Sequence, residues 1–171
     1  MLNLRLFVNI LVIICLVLLQ SLVFNRISFN HVATPFIYVI FILIYPVQRN
    51  RYIFLMLCFL LGWGVDLFDD TGGIHAFASL TIGFLSRPLI RTISGIKNFE
   101  PEEFRFYDFN VGQWIVFTIA MVFIHHFILF AFESLSFSNF KGIMLRTFYC
   151  SAFTLIFVYF YLILFRKRTE R

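Results

Sequence analysis

Long apolar runs alternate with short polar breaks along the whole chain. Six runs stand out: Leu6–Phe24, Val32–Val47, Tyr52–Leu67, His75–Ile93, Gly112–Phe132 and Met144–Phe165. A helix that crosses the hydrocarbon core needs about 20 mostly apolar residues, so each run predicts one span. The second run has only 16 residues. At 1.5 Å rise it covers about 24 Å, short of a core of about 30 Å, so it is expected to be bent or packed inside the bundle. Pro35 stands near its start and Pro46 near its end, while Gly83 and Arg87-Pro88 interrupt the fourth run. The first run is long, follows a single Arg5 and has no small-x-small cleavage site at Gln20-Ser21-Leu22. It reads as a membrane anchor rather than a cleaved signal.

Composition agrees. Of the 171 residues 61% are hydrophobic and only 13% charged, against about 45–50% and about 25% in a soluble domain. Charge is too sparse to coat a globule, and apolar content is too high for disorder. The expected fold is an all-α integral membrane protein, a single domain over residues 1–171 built as a six-helix transmembrane bundle. No length remains for a soluble catalytic domain.

The basic residues set an orientation. Placed on alternate sides, Arg5, Arg49, Arg51, Arg87, Arg91, Lys97, Arg105, Arg166, Lys167, Arg168 and Arg171 oppose Arg26, Lys141 and Arg146, eleven against three. The positive-inside rule puts both termini in the cytoplasm. The longest cytoplasmic loop, 94–111, holds Glu100-Pro101-Glu102-Glu103 amid Phe99, Phe104, Phe106, Tyr107 and Phe109. Pro followed by acids suits a helix start, and the aromatic residues suit a helix lying on the inner membrane face. A solvated linker is the other reading. The 26 phenylalanines read as lipid contact and packing. Cys15, Cys58 and Cys150 lie in apolar runs without metal spacing.

Ionisable groups at membrane depth cost roughly 2.5–3.5 kcal/mol each on insertion scales, so each calls for a reason. They gather toward the outer leaflet: Asp66 in Gly62-Trp63-Gly64-Val65-Asp66, the turn Asp69-Asp70-Thr71-Gly72-Gly73-Ile74-His75, then His125-His126, Glu133 and Arg146. His126 and Glu133 are seven apart and share a helix face. Arg146 is placed to reach Glu133 across the outer loop, and Asp66 and His75 flank one turn and can pair. Three readings fit these groups. They can hold loops and helix ends together, form a surface for a partner's transmembrane or outer segment, or make a metal site or proton path from His75, His125, His126 and a carboxylate. Against the third, adjacent histidines point about 100° apart on a helix, and no HxxxH or HExxH spacing is present. Catalytic motifs are missing as well: there is no Gly-x-Ser-x-Gly, P-loop or CxxC. Asp69-Asp70-Thr71-Gly72 has no second acidic motif to complete a two-metal site. Gly62 and Gly64 suit close helix contact. No catalytic residue, metal or cofactor is expected.

Together these motifs resemble a family. Gly62 through Ala76, with Asp66 four residues after Gly62 and Gly73 before His75-Ala76, resembles the signature of MreD, the rod shape-determining membrane protein. Phe84-Leu85-Ser86-Arg87-Pro88 resembles its "FLRP"-like continuation, with Ser86 altering the spacing. His125-His126-Phe127, Phe130 to Glu133 and Phe137-Ser138-Asn139-Phe140 resemble the second half of one branch. The resemblance covers most of residues 30–165. It implies a non-enzymatic scaffold of the cell-elongation complex in the bacterial cytoplasmic membrane. The implied partners are an MreC-like single-span protein and, indirectly, an MreB-type cytoskeleton and the polymerase/transpeptidase pair that builds side-wall peptidoglycan. On this view Asp66, Asp70, Gly73, His75, His125, His126, Glu133 and Arg146 form an outer polar network that is structural or partner-binding. Arg49, Arg51 and Arg87 dock cytoplasmic proteins. The family is also similar in architecture to the substrate-binding membrane subunits of energy-coupling vitamin transporters. The alternative function is therefore a small-molecule-binding transporter subunit, with a cavity lined by Trp63, His75, His125 or Glu133. Fold alone fixes no ligand.

Overall fold

The computed structural model describes residues 2–27, 34–95, 100–101, 104, 109–135 and 139–165. All its regular structure is helical: α1 (Leu2–Leu22), α2 (Val39–Ile44), α3 (Arg51–Asp69), α4 (Ile74–Ser94), α5 (Val111–Glu133) and α6 (Phe140–Phe165), with a single 3-10 turn at Phe24–Arg26 after α1. Among the described residues four helical stretches are long and apolar enough to cross a membrane: Leu4–Arg26, Arg51–Asp69, Val111–Glu133 and Phe140–Leu164. The described structure is all-helical and compatible with a helical membrane protein.

The fourth apolar run is a continuous helix, not an interrupted one. Pro88 sits inside α4 without breaking it. Its missing N–H removes one backbone bond, while Ser86 and Thr92 bond back to the carbonyls of Gly83 and Pro88 at 2.7 and 3.0 Å. α4 has 21 residues, about 31 Å at 1.5 Å rise. Ser86, Arg87 and Arg91 make its second half more polar than the other long helices.

The second run, expected to be bent or packed inside the bundle, is both broken and buried there. Within Val32–Val47 the helix is only the six residues Val39–Ile44, preceded by irregular backbone at 34–36 and a turn at 37–38. Pro35 forbids a helical residue before it and cannot donate. Yet Pro35 to Leu43 is buried throughout, with Tyr38, Val39 and Leu43 fully inaccessible. This broken element fills the middle of the bundle, where non-helical backbone is tolerated because protein surrounds it.

Around it the long helices pack in chain order. α3 lies against α4, α4 against α5, α5 against α6, and α1 against α3. Small residues let the first pair close up. A methyl on Gly62 would stand 2.6 Å from Ala76 Cα, and one on Gly83 2.7 Å from Cys58 Sγ. α1 is peripheral, with only 17% of its apolar window buried. The turns then define two ends of the bundle. The α3–α4 turn with Asp69 and Asp70, Glu133 and Arg146 mark an acidic end, and Arg49, Arg51 and Arg87 a basic end.

Most of the loop expected to hold a membrane-lying helix, Phe99, Glu102, Glu103, Phe106 and Tyr107 included, lies outside the described residues. Phe104 and Phe109 are described, and both are buried. Their rings meet at 5.1 Å, and Phe109 continues to Phe117 of α5. At these two positions the aromatic side chains pack into the bundle end, rather than onto lipid or into solvent.

Candidate functional site

The polar residues of the acidic end are assembled by the α3–α4 turn. Asp70 ends α3 in the left-handed conformation with φ 53°, and Gly72 and Gly73 follow with φ 65° and 98°. Gly73 is the N-cap of α4 and has no side chain to cap it. Asp66, one turn back on α3, supplies the cap. Its carboxylate accepts the His75 amide at 3.0 Å, the Ala76 amide at 2.8 Å and the Thr71 hydroxyl. A buried anion thus sits on the positive end of α4, where the helix dipole favours it. Asp66 and His75 do pair, but through the backbone amide of His75 and not its ring.

The His75 ring turns inward instead. Tyr38, just before α2, places its hydroxyl 2.9 Å from His75 Nδ1 and 2.8 Å from His125 Nε2. The expected divergence of the two neighbouring histidines is present. His125 faces Tyr38, whereas His126 faces α6, with Nε2 3.2 Å from Thr154 Oγ1. His126 Nδ1 lies 2.7 Å from the Val122 carbonyl. That carbonyl can only accept, so His126 carries its proton on Nδ1, and Nε2 accepts from Thr154. Thr154 in turn accepts the Phe36 amide at 2.9 Å. The relay Phe36 N–H to Thr154 to His126 to Val122 is fully satisfied. It uses up one of the amides left over by the break before α2.

A second side chain completes that task. Gln20 of α1, fully buried, accepts the Ile37 amide at 2.9 Å and donates to the Pro35 carbonyl at 3.1 Å. Its amide also donates to Asn25 at 2.7 Å, and Asn25 donates to the two carboxylate oxygens of Asp69 at 2.8 and 2.6 Å. One connected set of bonds therefore runs from the end of α3 through the 3-10 turn and α1 to the broken segment.

The remaining candidates are peripheral. Asp70 is exposed. Glu133 and Arg146 form the expected ion pair at 2.8 Å with side chains 42% and 47% exposed, and the guanidinium stacks 4.4 Å above Phe130. His126 and Glu133 lie seven apart on α5 and so on one face, two turns from one another, with His126 buried and Glu133 at the exposed helix end. At the basic end Arg87 reaches inward, donating to the Val47 and Arg49 carbonyls at 3.1 and 3.0 Å. Arg51 lies 4.6 Å over the Phe84 ring, and Arg49 is half-buried.

The space a ligand would need between the histidines is occupied. Phe36 packs against His75, His125, His126 and Phe130, with centroids at 5.5, 6.4, 5.2 and 6.4 Å. Trp63 points outward, 47% exposed. A crevice at the basic end, lined by Tyr45, Val47, Arg49 and Arg87, holds about 10 Å³, the room of one water. A metal on His125 Nε2 would leave Nδ1 as an N–H needing a second-shell acceptor, and His125 Nδ1 is buried without a partner.

Gln20, Asn25, Tyr38 and Thr154 carry this network and were not singled out from the sequence. Gln20 and Thr154 have a retrospective signal. Gln20 is a strong polar group inside an otherwise apolar helix, and Thr147, Ser151 and Thr154 recur at spacings of four and three along one face of α6, all buried. Compared with known proteins, the chain matches no family model, no curated protein and no solved structure.

Proposed function

We propose that this chain is a non-enzymatic adaptor of the bacterial cytoplasmic membrane, of the rod shape-determining MreD kind that its motifs resemble. In this reading the chain crosses the membrane six times, counting α4 and the broken α2 element, with both termini in the cytoplasm and the acidic end outside. The partner at the outer face is an MreC-like single-span protein. MreB-type filaments and the wall polymerase/transpeptidase pair are reached indirectly, with Arg49 and Arg51 at the cytoplasmic face. What supports a holding role over a chemical one is a single observation. Asp66 is committed to the amides opening α4, His126 to Val122 and Thr154, and one ring nitrogen each of His75 and His125 to Tyr38, while Phe36 fills the space among the three rings. The same filling weighs against a vitamin-sized ligand.

The experiment is capture of the tagged full chain from mild detergent, with mass spectrometry of what accompanies it. The adaptor reading expects a single-span membrane protein and wall synthases. Recovery of an ATPase pair and a small molecule would replace it with the transporter reading.

A further inference from the structure

Where α3 begins and α4 nears its end, two arginines flank one exposed face. Arg51 opens α3, and Arg91 lies in the last turn of α4. The Arg51 guanidinium stands 4.6 Å over the Phe84 ring. Phe84, Pro88 and Arg91 are all exposed and recur at spacings of four and three, so they share one face of α4. From Phe84 to Arg91 is about 10.5 Å along the axis. Side chains on a helix lean toward its N-terminus, so Arg91 leans back across Pro88 toward Phe84. One cation comes from each helix, with Pro88 between them.

The start of α3 is held in place. Arg87, on the next face of α4, bonds the Val47 and Arg49 carbonyls. Asn50 caps α3 by accepting the Tyr52 amide at 2.9 Å. The backbone that carries Arg51 is thereby pinned against α4.

These charges are not neutralised from within. Among the described residues the ion pair is Glu133–Arg146, at the other end of the bundle, and neither Arg51 nor Arg91 has a carboxylate partner. Beside the charges the surface turns apolar. Tyr52, Met56 and Phe59 of α3 and Phe77 and Phe84 of α4 are exposed. Tyrosine is enriched where a helix leaves the bilayer.

A ligand that satisfies both halves of this surface carries a phosphate and long acyl chains. A phosphodiester offers two free oxygens to arginine forks, and its chains cover the apolar faces. A soluble anion would meet the arginines and leave those faces bare. In a zwitterionic lipid the headgroup amine offsets the phosphate charge, so a net anionic headgroup fits better. We propose that Arg51 and Arg91 clamp the phosphate of one anionic phospholipid, of the phosphatidylglycerol kind, whose chains lie along the outer faces of α3 and α4. This does not rest on the adaptor reading, and it holds whichever leaflet the basic end occupies.

The test uses the full chain purified in mild detergent. Native mass spectrometry counts the lipid retained in titrations with phosphatidylglycerol and with phosphatidylcholine of the same chains. Each arginine near an anionic headgroup contributes about a fivefold preference, so the wild type should hold one phosphatidylglycerol about twentyfold more tightly. Arg51→Gln and Arg91→Gln should each lose about fivefold of this, and the double variant nearly all of it. Arg91→Lys keeps the charge and should retain most of the preference. Arg5→Gln removes an exposed cation of α1 outside the clamp and should change nothing. Equal retention of the two lipids would overturn the proposal. So would a loss in Arg5→Gln as large as in Arg91→Gln, since that would mean diffuse attraction and no clamp. Inorganic phosphate should displace the lipid only in large excess; displacement at equal concentration would overturn the lipid assignment in favour of a free anion. Arg91 is exposed near a helix end, so Arg91→Gln decides even if Arg51→Gln fails to fold.

Discussion

Replacing Asp66 by Ala removes one carboxylate and leaves two buried amides, those of His75 and Ala76, without acceptors at the start of α4. Each orphaned donor costs about 1–3 kcal/mol. Loss of a negative charge at the helix N-terminus adds about 0.3–1 kcal/mol. Relaxation of the first turn toward water at the acidic end recovers part of this, so the expected destabilisation is about 2–5 kcal/mol. Chains of this size lose about 2–4 °C of Tm per kcal/mol, which places Asp66→Ala about 5–15 °C below the wild type. Asp66→Asn keeps one accepting oxygen and sets an NH2 against the other amide, so it should fall between.

The assay is thermal unfolding of the purified chain in one detergent, read by tryptophan fluorescence and by size-exclusion recovery after heating. Asp70→Asn is the control, since Asp70 is exposed in the same turn and Asn tolerates the left-handed backbone. A Tm for Asp66→Ala within about 2 °C of the wild type would refute the capping argument. A control as damaging as the test would show that the turn, not the cap, is at stake.

Gln20→Leu should cost about 2–4 kcal/mol in denaturant unfolding, because the Ile37 amide and the Pro35 carbonyl are stranded together; an effect below about 1 kcal/mol would mean that the broken segment is held otherwise. For Gly73→Leu the neighbourhood is open, so no clash is expected. The cost is that of a bulky residue at φ 98°, about 1–3 kcal/mol, read as lowered Tm and lowered membrane abundance. Arg146→Gln breaks a half-exposed ion pair and should change stability by less than about 1 kcal/mol. A larger loss in thermal unfolding would assign the weight to its stacking on Phe130.

The five long helices are legible in the sequence because each is a sustained apolar run ended by Gly or a charged residue. The Glu133–Arg146 pair is legible because a short connection joins two helix ends of opposite charge. The importance of Asp66 is legible too, as a carboxylate placed before a glycine-rich turn. What escapes is decided by partners far along the chain. Val32–Val47 is mostly apolar, and although its shortness and Pro35 mark it as bent or packed inside the bundle, nothing local says which side chains satisfy the backbone freed there. The break is tolerated because Gln20 lies 17 residues before Ile37 and Thr154 lies 118 residues after Phe36. Tyr38 likewise looks like one more aromatic until His75 and His125 arrive from two other helices. The His75 ring is misplaced by local reasoning because the nearby carboxylate is already committed to backbone amides.

A common device fastens both ends of the molecule. Asp66 holds the amides opening α4, and Gln20 and Thr154 hold the backbone at 35–37. Arg87 holds the carbonyls of Val47 and Arg49, Gln48 that of Phe104, and Gln113 that of Ile93. In each case a side chain bonds backbone of another segment, at a helix end or in an irregular stretch. The physical reason lies in the solvent. Lipid tails are as apolar as leucine, so burying aliphatic surface gives little drive to bring helices together. An unpaired backbone group inside the membrane, in contrast, costs several kcal/mol. Satisfying the backbone where helices stop is therefore the strongest term available to specify which helix lies beside which. That makes this protein's few buried polar side chains, rather than its many phenylalanines, the determinants of its arrangement.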